Sequence, residues 1–257
     1  MQWWCFAQGT AWTWEWRAYP GVWLFVALVA LAAHRLGAFR ADNGRARGAG
    51  IAAIAILWLA LDWPLGPLAA GYLASAHALQ FILLAFVIAP LFWVATRRDL
   101  RAAPPTNRAW GLLTQPIVAA VLFNVSVASS HMPRVVDQLM VSAAGAFLID
   151  LLWLGSALLF WWPLIVRIPD RPTFGVPVRL LYLLLGTLFH TVIAMVMLAT
   201  ELPMYGIYEL APPTGWLPPR EDQQLAGSIM ELVGIVLIIG YATRLFFRWA
   251  GASTREG

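Results

Sequence analysis

The sequence predicts an all-α integral membrane protein: about seven transmembrane helices in one bundle, with the N-terminus outside the cytoplasm and the C-terminus inside. Three observations carry this expectation. Of 257 residues, 61% are hydrophobic and only 12% are charged, where a soluble domain carries about 25% charged residues. Apolar runs recur along the whole chain at close to the length of about 20 residues that crosses a hydrocarbon core of about 30 Å. All 17 basic residues are arginine, and they fall between those runs. That is the placement of membrane topology signals, not of a basic binding face, so no nucleic-acid partner is expected.

Residues 1–18 read as an outer-face arm rich in tryptophan, with Trp3, Trp4, Trp12, Trp14 and Trp16. Tryptophan favours the boundary between apolar and wet surfaces, so the arm is expected to act as an interfacial lid. It lacks the basic start and small-residue cleavage site of a signal peptide. The one cysteine, Cys5, can form no internal disulfide. The seven-helix bundle is expected over residues 19–249, with spans at 19–36, 48–63, 69–95, 110–129, 139–166, 178–200 and 224–247. The second is short and stops at Pro64. No run alternates polar and apolar residues as a barrel strand would. Residues 250–257 are expected as a cytoplasmic tail.

Orientation follows from the arginines. Fourteen lie at or beyond the ends of the first, third, fifth and seventh runs, among them Arg45, Arg97, Arg167, Arg171, Arg179, Arg244 and Arg255; Arg17, Arg134 and Arg220 remain for the other side. Excess arginine marks the cytoplasmic face. The opposite face carries the segment 201–222, with Pro203, Pro212, Pro213, Pro218 and Pro219 and the acids Glu201, Glu209, Glu221 and Asp222. Such proline density predicts a stiff, extended lid. Its acidity suits a cation outside, or reflects only that acids need not avoid that side.

Ionisable groups inside a membrane are functional suspects by default. A rise of about 1.5 Å per residue places His77 about 9 Å, Asp150 about 16 Å, His190 about 15 Å, and Met230 with Glu231 about 10 Å from the outer ends of their spans. His131 and Met132 fall in the outer loop above them. His190, Ala194, Met197 and Glu201 share one helical face. Imidazole and thioether together suit copper, above all cuprous copper. The competing expectation is that His77 and His190 pack helices, their ring N–H groups bonding to neighbouring carbonyls. No zinc signature, phosphate-cradling glycine loop or nucleophile elbow is present, so the chain is not expected to be an enzyme.

Four segments resemble the CtaG family of cytochrome c oxidase assembly proteins. They are Ser75-Ala76-His77-Ala78-Leu79-Gln80-Phe81 after Trp63-Pro64-Leu65-Gly66; Leu158-Leu159-Phe160-Trp161-Trp162-Pro163-Leu164; Met204-Tyr205-Gly206-Ile207-Tyr208; and Asp222-Gln223-Gln224-Leu225-Ala226-Gly227-Ser228-Ile229-Met230. The resemblance implies a membrane-embedded assembly factor of the bacterial cytoplasmic membrane that supports copper-centre maturation from the outer face. Haem–copper oxidase subunits, membrane lipid and a copper donor protein are the partners it implies. It points to His77, His131 and His190 as metal-site positions, with Asp222 and Met230 nearby. Two departures stand out. Where the family shows a second histidine four residues after the first, this chain has Phe81; where it shows Glu-His in the fifth span, this chain has Ile149-Asp150. Phenylalanine cannot ligate and a carboxylate is a harder ligand, so copper binding is expected to be weak or lost, and no other cofactor is expected. The alternatives are a divergent accessory subunit of a haem–copper oxidase that binds no copper, and a proton or small-solute transporter using Asp150, His190 and Glu231.

Overall fold

The computed structural model describes residues 2–40, 44–102, 107–166, 175–215 and 217–253. Arg167, Arg171 and Arg255, and the expected tail from residue 254 onward, lie outside them. Among the described residues every regular element is helical.

The expected first two spans are α1 (Pro20–Arg35) and α2 (Gly44–Leu61). Proline at the start of α1 costs nothing, since the first N–H of a helix has no partner in any case. The two are clamped by Asp62, whose carboxylate accepts the indole N–H of Trp23 on α1 at 2.8 Å and that of Trp58 on α2 at 2.5 Å. The expected third span, 69–95, is two elements. The short helix α3 (Leu65–Gly71) ends at Tyr72, Leu73 is extended, and only at Ala74 does the long helix begin. That helix runs as α4 (Ala74–Ile82), a π-helical turn (Leu83–Ile88) and α5 (Ala89–Ala102). A π turn misaligns backbone bonding by one residue; here the carbonyl of Ala85 accepts the indole of Trp161 at 2.8 Å.

After the short α6 (Arg108–Leu113), the fourth run is broken. Helices α7 (Pro116–Ser130) and α8 (Pro133–Leu139) meet at 73° around His131 and Met132. The residue before a proline is pushed out of the helical region, and Met132 before Pro133 is extended. The fifth span is α9 (Ala143–Ile165), its start capped by the Ser142 hydroxyl on the Gly145 N–H at 3.1 Å. The sixth is α10 (Val176–Gly186) continued past Thr187 by α11 (Leu188–Ala199). The proline-rich segment is not wholly extended: it holds the one-turn helix α12 (Gly206–Glu209), whose first N–H groups are accepted by Asp137 at 3.2 and 3.0 Å. The last helix, α13 (Pro219–Ser253), starts earlier than expected and takes in Glu221 and Asp222 as first-turn acids, where the helix dipole favours them.

Five helical stretches are long and apolar enough to cross a membrane, or six if the bent α7–α8 pair counts as one. Helix α1, with 16 residues, is shorter than these. The chain is a multi-pass membrane protein. Its α13 packs on α4 and α11, α7 on α9, and α2 on α5. Leucines such as Leu24, Leu184 and Leu232 point outward and are more than 60% exposed, an apolar exterior that lipid would cover.

The N-terminal arm is threaded into the bundle and does not merely lie on it. Trp4 and Cys5 are buried while Trp3, Trp14 and Trp16 are exposed. The Trp4 indole donates to Asp150 at 2.8 Å, and the Ala7 N–H to the Met140 carbonyl at 2.9 Å. Burial pushes the Cys5 thiol well above its usual range. It donates to the Leu61 carbonyl at 3.4 Å.

Candidate functional site

Three of the four histidines converge at one end of the bundle, beneath the 200–218 segment. His77 comes from the first turn of α4, His131 from the α7–α8 bend, and His190 from α11. All are buried, at 5%, 5% and 1% exposure. The break before Ala74 sets His77 only about 5 Å down its helix, less than expected, while His190 lies about 14 Å below the end of α11. The set is thus stepped in depth, with His77 above and His190 below.

Aromatic rings space the imidazoles. His77 and His131 have centroids 6.2 Å apart, and both face Trp153, at 4.7 and 5.6 Å. Phe81, one turn below His77 and wholly buried, contacts His131 at 4.9 Å, Trp153 at 5.3 Å and His190 at 5.9 Å. The side chain that cannot ligate therefore stands between the upper and lower histidines.

The tautomer of His131 follows from its partners. Its Nδ1 lies 2.9 Å from the Val127 carbonyl, which can only accept, so Nδ1 carries the proton and Nε2 the free lone pair. Trp153 donates to Ser130 Oγ at 2.7 Å, and Ser130 lies 3.3 Å from the same Nδ1. Oriented imidazoles of this kind are the usual metal-ligating form. His131 Nε2, both ring nitrogens of His77, both of His190 and Oε2 of Glu231 have no hydrogen-bond partner. The carbonyls of Ala69 and Met230 approach His77 and His190 without reaching hydrogen-bond geometry. The carbonyl bonds expected of His77 and His190 are thus not made, whereas His131, for which none was expected, makes one.

The remaining candidates frame the site. Asp222 is buried, and its carboxylate accepts the Ala74 N–H at 2.6 Å, the Ser75 N–H at 3.4 Å and the Ser75 hydroxyl. It is a cap supplied from α13 to the helix that carries His77, since the residue at the cap position, Leu73, has no side chain that could do it. Replacing Asp222 with alanine is expected to lower stability by about 1–2 kcal/mol, and asparagine, which keeps one acceptor, by less. Thermal melts in detergent would measure both. Gln223 accepts the Met204 N–H at 2.6 Å. Tyr205 donates to the His131 carbonyl at 3.0 Å and Tyr208 to the Ala69 carbonyl at 2.7 Å. Burial pushes the Tyr208 phenol well above its usual range, so it remains a donor.

Met230 is fully buried on α13. One turn further, Gly234 lies against His190: a Cβ there would overlap the His190 ring. Asp150 is buried but turned to Trp4 and not to the histidines. Glu201 leaves the face it was expected to share with His190. Helix α11 ends at Ala199, Thr200 is extended, and Glu201 is exposed, 3.9 Å from Arg220. Met132 is exposed. Among the described residues no group of three or more His, Cys, Asp or Glu side chains is close enough to hold one metal ion. Trp153, Asp62 and Asp137 were not singled out in the sequence; their contacts to Ser130, Trp23 and Gly206 span 23, 39 and 69 residues and leave no local pattern.

The model of the cytochrome c oxidase caa3 assembly factor family, Caa3_CtaG, matches residues 23–252. This chain belongs to that family. No curated protein and no solved structure matches it. Membership makes it a cytochrome c oxidase assembly factor, acting with oxidase components, and the four segments quoted above all lie within the matched range. In this Caa3_CtaG protein, three of those segments now have structural work: the first carries His77 and Phe81, the third ties the loop to His131, and the fourth caps α4.

Proposed function

We propose that this protein supports maturation of the copper centres of a haem–copper oxidase, taking cuprous copper at the histidine end of the bundle. The observation that carries the proposal is the set of unpartnered nitrogens on three buried histidines. Leaving such groups unsatisfied in an apolar interior costs about 1–3 kcal/mol each, a cost that a bound ion would remove. The 6.2 Å between His77 and His131 is of the order of two imidazoles on opposite sides of one ion, with metal–nitrogen bonds of about 2.0 Å. His190, with Met230 and Gly234 beside it, is a second, deeper stop beyond Phe81. Asp222 serves this site by holding α4. The acidic segment above offers an approach for a cation, and a copper donor protein would deliver there. The protein acts by binding and not by catalysis.

In this proposal the chain has seven spans, with α1 and the bent α7–α8 pair counted, in the bacterial cytoplasmic membrane, N-out and C-in. The cavity shared by Arg45, Arg179 and Arg244 supports the placement of three arginine groups at one end, away from the histidines. The second reading, an accessory subunit that binds no copper, is favoured by Phe81 standing between the histidines.

The test is complementation. Cells lacking this protein should lose oxidase activity and recover it with the wild-type gene, whereas His131→Ala should fail unless copper is added in excess. Recovery by His131→Ala without added copper would remove the copper role and favour the accessory reading. A reporter fused after Gly257 should be active only in the cytoplasm, and one fused within 212–219 only outside; the reverse at either site would overturn the orientation.

A further inference from the structure

Between Asp222 and Arg244, helix α13 carries a single charged residue, Glu231. At a rise of about 1.5 Å per residue it sits about 14 Å from the first and about 20 Å from the second. It therefore lies deep in a hydrocarbon core about 30 Å thick. Ionisable side chains at that depth turn to the bundle interior or pair with one another. Glu231 does neither fully: the residue is only half-buried, and its buried Oε2 has no hydrogen-bond partner.

Its place on the helix gives the reason. Gly227, four residues before it, and Gly234, three after, lie against α11, while Leu232, Val236 and Ile239 point outward. Glu231 falls on the edge between these two faces. Gln224 and Ser228, seven and three residues earlier, share that edge, and both are half-buried as well. The Ser228 hydroxyl donates to the Gln224 carbonyl at 2.8 Å, so it has no proton left for Glu231. The result is a polar stripe at mid-membrane depth, bordered by outward apolar side chains.

We infer that this edge of α13 is the docking surface for a transmembrane helix of the oxidase, one that brings a basic side chain to Glu231 and lies along Leu232, Val236 and Ile239. Lipid tails have no donor to offer a carboxyl group, and lipid head groups lie beyond the ends of the span. A second copy of this chain, meeting the first across a two-fold axis, would set Glu231 toward Glu231, acceptor to acceptor. A basic side chain supplies both the donor and the counter-charge. The inference rests on membership of the assembly-factor family and not on the copper reading, because the stripe shares no residue with the histidine site.

The test puts the photo-cross-linking residue p-benzoylphenylalanine in place of Leu232 in the full-length protein, in cells assembling the oxidase. An adduct with an oxidase subunit is expected, its cross-linked peptide lying in a membrane span that holds a basic residue. The same substitution at Leu24, as outward-facing but on α1, should give none. Glu231→Gln keeps size and polarity and removes the charge; it should lower the adduct yield about tenfold. Glu231→Leu should lower it as far, while the purified protein melts no lower than wild type, because no hydrogen bond within the chain is lost. A lower melt would place the partner of the carboxyl group inside this chain and overturn the proposal. An adduct only between two copies of this chain, an oxidase adduct undiminished by Glu231→Gln, equal adducts from Leu24 and Leu232, or none from either would each overturn it as well.

Discussion

Phe81→His is expected to raise cuprous affinity by at least about tenfold, the lower end of what a single added or lost ligand-shell group does at a metal site. Phe81 is wholly buried with its ring beside those of His131 and His190, so an imidazole at this position would lie next to both histidines. Without copper the variant should be less stable than wild type by about 1–3 kcal/mol, because another unsatisfied polar ring replaces an apolar one in a packed interior. With copper at about 100 times the dissociation constant, linkage returns about 2.7 kcal/mol. Competition with a cuprous chelator measures the affinity, and a melt with and without copper measures the linkage. Adding Asp150→His should contribute less, because Asp150 faces Trp4 and its loss orphans that indole. A folded Phe81→His variant with unchanged affinity would show that this position is outside any copper site.

Gly234→Ala is expected to damage the protein through His190. A methyl at Gly234 would overlap the His190 ring, and helices α11 and α13 cannot separate easily, because a Cβ at Gly227 would already lie 2.8 Å from the Ala194 carbonyl. The ring must therefore leave its place, at a cost typical of overpacking, about 1–3 kcal/mol. Copper bound through His190 would be lost with it. Gly240→Ala is the control: it is on the same helix, a Cβ there meets nothing within 4 Å, and the better helix propensity of alanine should make it neutral or stabilising by up to about 1 kcal/mol. Melting temperature and oxidase activity in complemented cells would be read for both. Equal behaviour of the two variants would mean that His190 is not held against α13 as described.

The site was legible in the sequence as residue types and illegible as geometry. His77 and His190 stood out because ionisable groups in apolar runs are costly wherever they point, and His131 through its place in the outer loop above them and the family resemblance. That His77 and His131 would face each other across Trp153, with Phe81 below them, depended on the α7–α8 bend and on the late start of α4 at Ala74. Asp222 was singled out as a possible neighbour of the metal. Its oxygens instead meet the N–H groups of Ala74 and Ser75, a contact spanning almost 150 residues.

The sequence by itself determined that this chain is helical, apolar outside and several times membrane-crossing, because run length and charge density answer to the solvent and not to any particular partner. It also determined the family, through short segments whose order survives in the chain. Only the tertiary structure decided where runs break, which face each polar side chain takes and what it meets. Apolar residues all around a helix carry no amphipathic signal to orient it. In such a chain the rotation of each helix is set by packing: by Gly227 and Gly234 admitting α11, by Asp62 pinning two tryptophans, and by Phe81 filling the space between the histidines.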